Sequence, residues 1–214
     1  MPYNMSSEYG DMYMDLFPDE YPVELKRYMS KLKVVDNAIG ILLDGLEARG
    51  ILDDTVIVLF ADHYPYSMDT DTINVALDYD LDEDNNADRV PFIIYNSELS
   101  SKEISSYTSY IDILPTITNL FNLDFDSRLY MGSDIFSDTH ESLVIFNEGS
   151  WKNEVAFYNA STSNIHYYTK NTYTSEEILA INTQVRLKLE MSSLAIRKNY
   201  FHYLEENLNN TTSN

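Results

Sequence analysis

The chain has 214 residues, 44% hydrophobic and 13% aromatic, which is enough for a real core and excludes wholesale disorder. Thirty-five acids against fourteen bases give a formal charge of -21, so nucleic acid and anionic membrane surfaces are excluded as ready partners, and the simplest use of the acidity is solubility. Cysteine is absent, which excludes disulfides and thiolate chemistry, and no run approaches the roughly 18 apolar residues of a membrane span, so the chain as given reads as soluble.

The opening stretch MPYNMSSEYG lacks the basic and apolar regions of a signal peptide. Residues 1–19 are rich in aromatics and methionine without a period, and read as an irregular segment packed on something outside it. From about Val23 to Arg49, Leu25, Tyr28, Met29, Leu32, Val35, Ile39, Leu42, Leu43 and Leu46 follow helical spacing, with Pro22 at the start and Gly50 suited to a C-cap. Gly40 inside this helix costs roughly 1 kcal/mol relative to alanine, which suggests close approach of another backbone there, with a tolerated surface glycine as the alternative. The run TVIVLFADHY, Thr55 to Tyr64, then reads as a buried parallel strand that delivers Asp62 and His63 at its carboxyl end. A helix followed by such a strand is half of a βαβ unit and implies an earlier strand, yet none is visible in residues 1–20.

Beyond His63 the chain is polar and acidic from Asp69 to Asp88, with a short helix expected near Ile73 to Leu77. The alternating acids from Asp78 to Asp84 resemble a calcium loop. They fail the EF-hand pattern, because Glu83 stands where glycine is needed and Arg89 where a bidentate glutamate is needed, so a solvated acidic loop is the preferred reading. Val90 to Tyr95 forms a second short strand, with Pro91 near its start. Ile111 to Leu123 is a helix with Asp112 as its N-cap and Pro115 in its first turn. Leu143 to Phe146, Trp151 to Tyr158 and Asn164 to Tyr168 read as strands of a hairpin-rich sheet, with Trp151 as its anchor. Ser175-Glu176-Glu177 opens a long helix to about Leu204. No linker interrupts the patterning.

Asp62 and His63 are adjacent, so an extended strand would point them to opposite faces, and both reach one ion only if the chain turns there. Tyr64-Pro65-Tyr66 supplies a turn. A carboxylate and an imidazole suit zinc or manganese, but a catalytic ion needs at least a third protein ligand, and a hydrogen-bonded strand terminus explains the pair as well.

Several stretches in this order, MPYN, YMSKLKVVDNAIGILLDGLEARG, ILDDTVIVLFADHY, RVPFIIY, YIDILPTITNLF, MGSDIF and VIFNEGSW, resemble the C-terminal part of the sulfatase-like enzymes of the alkaline phosphatase superfamily. The resemblance is strongest to lipoteichoic acid synthase-type phosphoglycerol transferases, and covers roughly residues 1–158. It implies the C-terminal part of an α/β/α three-layer sandwich over residues 1–138, followed over 139–214 by a small antiparallel sheet and a long helix packed on the same domain. It implies that Asp62 and His63 ligate a divalent metal, manganese first with zinc, calcium or magnesium as alternatives, bound weakly here. The family's threonine or serine nucleophile lies far upstream of these motifs, so no catalytic nucleophile is expected in this chain and turnover by it alone is not expected.

The implied partners are the N-terminal part of a longer parent enzyme and, for that parent, a lipid-linked head group at the extracellular face of a bacterial membrane. A truncated sheet edge would also let two copies pair. On the substrate side, Tyr3 and Tyr64 are candidates, and Tyr66 could line the same side, although among 18 tyrosines packing is the better reading for Tyr64 and Tyr66 and at least as good for Tyr3. His140, His166 and His202 read as structural or surface residues. The alternatives are a fragment of a sulfatase or phosphoethanolamine transferase, which shares the Asp-His strand end, and a non-catalytic acidic binding module.

Overall fold

The computed structural model describes residues 5–211, so Tyr3 lies outside the described residues. The chain is mixed α/β and packs as two compact units, Met1–Glu103 and Ile104–Asn214. This division of packing is separate from the boundary at 138/139, which marks where the family-like patterning of the α/β part was expected to end.

In the first unit a short helix α1 (Glu8–Asp11) and a 3-10 turn (Met14–Leu16) lie against helix α2 (Val23–Glu47). The described part of the segment expected to be irregular thus contains two short helical turns, and it packs on α2 of the same chain. The contact is made by polar groups: Ser30, fully buried, donates to the Tyr9 carbonyl at 2.7 Å and accepts the Tyr13 N–H at 2.9 Å, while Arg27 pairs with Asp11 at 2.8 Å. Helix α2 starts after Pro22 and ends as its spacing predicts. Gly50, at φ 67°, adopts the left-handed conformation that lets the Ile51 N–H reach the Leu46 carbonyl. Nothing lies within 4 Å of a Cβ built on Gly40, so of the two readings the tolerated surface glycine is correct.

Strand β1 (Ile57–Phe60) pairs with β2 (Phe92–Tyr95), with Phe60 opposite Phe92 and Ile57 opposite Tyr95. The pair is antiparallel, which corrects the expectation of a parallel strand, and among the described residues β1 has no other strand neighbour. The connection explains this. Between the strands a five-residue helix α3 (Thr70–Asn74), a few residues earlier than expected, and a 3-10 turn (Asn86–Asp88) form, and neither is a crossover helix long enough to carry the chain back to a parallel start. The strand is also half-exposed rather than buried, with Phe60 50% exposed. Asn96, just past β2, donates from its amide to the carbonyls of Asp53 and Thr55, both at 2.9 Å, and so locks the two strand ends together.

In the second unit, α4 (Tyr110–Leu120) precedes a meander of four short antiparallel strands, β3 (Val144–Ile145), β4 (Trp151–Lys152), β5 (Ala156–Asn159) and β6 (Asn164–Tyr167). Helix α5 (Ser175–Arg197) covers this sheet through Val185, which with Trp151 and Ala156 forms the unit's core. Trp151 is fully buried, stacks on Tyr158 at 5.6 Å and donates its indole N–H to Asn182 at 2.8 Å, so it anchors the sheet as expected. Burial of side chains this size contributes about 1.5–3 kcal/mol each. Thr174 caps α5, and its backbone N–H donates to the Glu177 carboxylate at 2.7 Å, which holds that carboxyl below its usual range. The single long helix expected to Leu204 is instead two: α5 ends at Arg197, Asn199 turns at φ 49°, and α6 (Tyr200–Thr211) follows. Asparagine tolerates that conformation, so helical spacing on either side hid the break.

Candidate functional site

Strand β1 ends at Phe60, and the chain bends through Asp62 and His63 before turning at Pro65. The bend places the two side chains on one side despite their adjacency. Asp62 Oδ1 lies 3.5 Å from His63 Nε2. Two ligands each ~2.1 Å from one ion at the tetrahedral angle stand about 3.4 Å apart, so this spacing suits joint coordination. His63 Nδ1 donates to the Tyr64 carbonyl at 2.7 Å, which leaves Nε2 as the atom able to ligate a metal. The Asp62 side chain is 88% exposed and His63 37%, an open arrangement. Among the described residues no group of three or more His, Asp or Glu side chains could hold a metal ion. As one oxygen and one nitrogen donor the pair could contribute to a divalent-cation site but does not complete one among the described residues.

Tyr64 and Tyr66 are both exposed and meet edge to face at 6.2 Å. The ring of Tyr66 also lies 4.7 Å from the His63 imidazole. That contact was not legible from spacing, because an exposed tyrosine six residues after a strand end has no period to betray it. The one available signal was Pro65, which demands a tight turn.

The DILPT and MGSDIF stretches meet in the second unit and account for each other structurally. Helix α4 starts at Tyr110 with Ser109 as N-cap, so Asp112 is the third helical residue, not the cap. Its carboxylate, 3% exposed, accepts the Ser109 N–H at 2.8 Å through one oxygen and the Ser133 N–H at 2.9 Å through the other. Pro115 sits in the second turn rather than the first and cannot donate to the Ile111 carbonyl; the Gly132 backbone packs there so closely that an added Cβ would stand 2.3 Å from that oxygen. Thr116 Oγ1 donates to the Asp112 carbonyl at 2.6 Å and accepts the Ile135 N–H at 3.1 Å. His140 completes the clasp, with Nε2 at 3.1 Å from the Tyr107 carbonyl and Nδ1 accepting from Ser133 Oγ at 2.8 Å.

The remaining candidates are structural or surface groups. His166 lies on β6 with its ring 5.3 Å from Tyr168, and His202 pairs with Glu206 at 3.2 Å along α6. In the acidic loop, Asp82 accepts from Thr70 Oγ1 at 2.8 Å and Asp80 accepts from the Asn74 amide at 3.0 Å, so these acids knit the loop to α3. No described helix is long and apolar enough to cross a membrane.

Comparison with known proteins places these features. Residues 2–123 match the family model described as Sulfatase. Lipoteichoic acid synthase 2 of Bacillus subtilis is 26% identical over 191 residues, which cover 83% of this chain and 28% of the relative. Lipoteichoic acid synthase of Staphylococcus aureus (strain USA300) is 25% identical over 192 residues, covering 82% of this chain and 28% of the relative. The chain thus spans little more than a quarter of the length of these relatives. The crystal structure of the lipoteichoic acid synthase LtaP from Listeria monocytogenes superposes with a TM-score of 0.69 at 22% identity, covering 88% of this chain and 52% of that one, a likeness of fold.

Proposed function

The chain belongs to the sulfatase family, and on that premise we propose that it is the C-terminal part of a metal-dependent phosphoglycerol or related phosphoryl transferase acting on lipid-linked head groups. The observation that carries the reading is the Asp62–His63 pair, two donors 3.5 Å apart at the end of β1 within the family-matched region. The names of the relatives favour a phosphoglycerol transferase over a sulfatase or phosphoethanolamine transferase, which share the same strand end.

Asp62 and His63 hold a divalent cation, manganese in our reading, which when bound supplies Lewis-acid stabilisation of charge on a transferred phosphoryl group. Asp62 contributes negative charge and a hard oxygen, and His63 a neutral nitrogen whose tautomer the Tyr64 carbonyl sets. The Tyr64 ring, exposed beside the pair, borders the substrate, and Tyr3 is assigned the same side by its motif. The remaining ligands and the nucleophile come from a preceding segment of the parent enzyme, whose place is the extracellular face of a bacterial membrane.

A two-stranded sheet is marginal by itself, and the half-exposed Phe60 and Ile93 suit a sheet that continues. In our reading a strand of the preceding segment joins this sheet. The test is turnover. The purified chain with manganese should not release product from a glycerophosphate diester or a sulfate ester, whereas fusion to the preceding segment of a relative should restore transfer. Metal-dependent turnover by the chain alone would place the nucleophile within these residues and overturn the proposal.

A further inference from the structure

We infer that the outward face of α5 is an interface between two copies of this chain, paired antiparallel about a two-fold axis at Leu187. The inference is independent of the metal reading. Helix α5 turns about 100° per residue, so Ile181, Val185 and Leu189 share the face that packs on the sheet, while Leu179, Ala180, Thr183, Leu187, Met191 and Leu194 form a second stripe on the opposite side. The stripe lies in the open: Leu179 is 67% exposed, Met191 58%, Leu187 47% and Leu194 46%. A surface helix needs one apolar face, and a second one calls for a partner. On one border of the stripe Gln184 and Lys188 are drawn back to Glu141 of the same chain, at 2.9 and 2.6 Å, which leaves it uncovered.

The stripe is complementary to itself. Its amino-terminal half is a shallow hollow over Ala180 and Thr183, and the Thr183 hydroxyl already donates to the Leu179 carbonyl at 2.7 Å, so its methyl group is what remains to pack. Its carboxyl-terminal half carries the bulky Met191 and Leu194. Two antiparallel copies related at Leu187 set Leu194, seven residues after the axis, on Ala180, seven before it, and Met191, four after, on Thr183, four before, large against small. The charges follow the same order. Glu176 stands at the amino-terminal end, Arg197 and Lys198 at the carboxyl-terminal end, and Arg186 and Glu190 near the centre, paired with each other at 2.9 Å and exposed. The axis brings Glu176 against Lys198 of the second copy and turns each Arg186 towards the other Glu190, so opposite charges meet at both ends and in the middle. Copies of a chain at -21 repel at a distance, so an ordered stripe of this kind selects one approach. At physiological salt the Debye length is about 8 Å, which screens the overall repulsion and leaves the contacts across the stripe to decide.

Sedimentation of the full chain at physiological salt tests the pairing, and the absence of cysteine makes introduced thiols clean reporters of its register. The wild-type chain should associate to two copies as its concentration rises. Leu187→Glu sets two carboxylates on the axis and should weaken association at least about tenfold, with an unchanged helical circular dichroism spectrum because Leu187 lies off the core. Under mild oxidation a mixture of Ala180→Cys and Leu194→Cys chains should form the mixed disulfide faster than either chain pairs with itself. A wild-type chain that stays single overturns the inference and leaves the face to another protein. Association that Leu187→Glu leaves intact runs through a different surface and overturns it too. A mixed disulfide no faster than the self-pairs overturns the antiparallel register, whatever the fate of the glutamate variant.

Discussion

Two residues carry the second unit's family-like motifs without chemistry of their own. Asp112 is a buried carboxylate whose oxygens each accept a backbone N–H, one from the cap of its own helix and one from Ser133 twenty-one residues on. Gly132 is what allows that second bond, because its backbone passes over the carbonyl that Pro115 leaves without a helical donor. A methyl group there meets backbone atoms of Ile111, which cannot move aside as a flexible side chain would. Gly132→Ala should therefore destabilise the chain by about 3 kcal/mol, the upper end of ordinary overpacking, read as a lower urea midpoint with an unchanged slope. An alanine chain of wild-type midpoint would mean that the clasp is loose in solution.

Among the elements, α2 makes the contrasting case. Its Gly40 has open space where a Cβ would go, so Gly40→Ala should raise stability by about 1 kcal/mol through helix propensity alone. A loss of stability would reveal a neighbour pressed against that face. The limits of α2 were legible because its apolar period is long and both ends carry backbone signals, Pro22 and Gly50. The β1 strand and its terminal Asp62 and His63 were equally legible from an apolar run that stops at polar groups. Its pairing was not, since strand direction depends on the path of the 31 residues between β1 and β2, and an acidic loop has no period from which to read a path. The break at Asn199 escaped for a related reason: one residue at positive φ interrupts a helix without disturbing the spacing on either side. Of the candidate site, the adjacent Asp62 and His63 at the strand end were readable and the contacts around them were not. The Tyr64 carbonyl, the turn over Pro65 and the Tyr66 ring depend on backbone geometry that spacing does not encode.

At the scale of the whole molecule, the chain carries a charge of -21 and the adjacent Asp62 and His63 at an exposed strand end, beside a sheet that has two strands among the described residues. Family membership, and relatives of whose length the matched part covers 28%, make these features parts of a larger catalytic centre in our account. That account stands or falls on Asp62 and His63. The most direct measurement is manganese titration of the purified chain against Asp62→Ala, followed by calorimetry. The account predicts weak, saturable binding that the substitution weakens further; tight binding that Asp62→Ala leaves unchanged would contradict it.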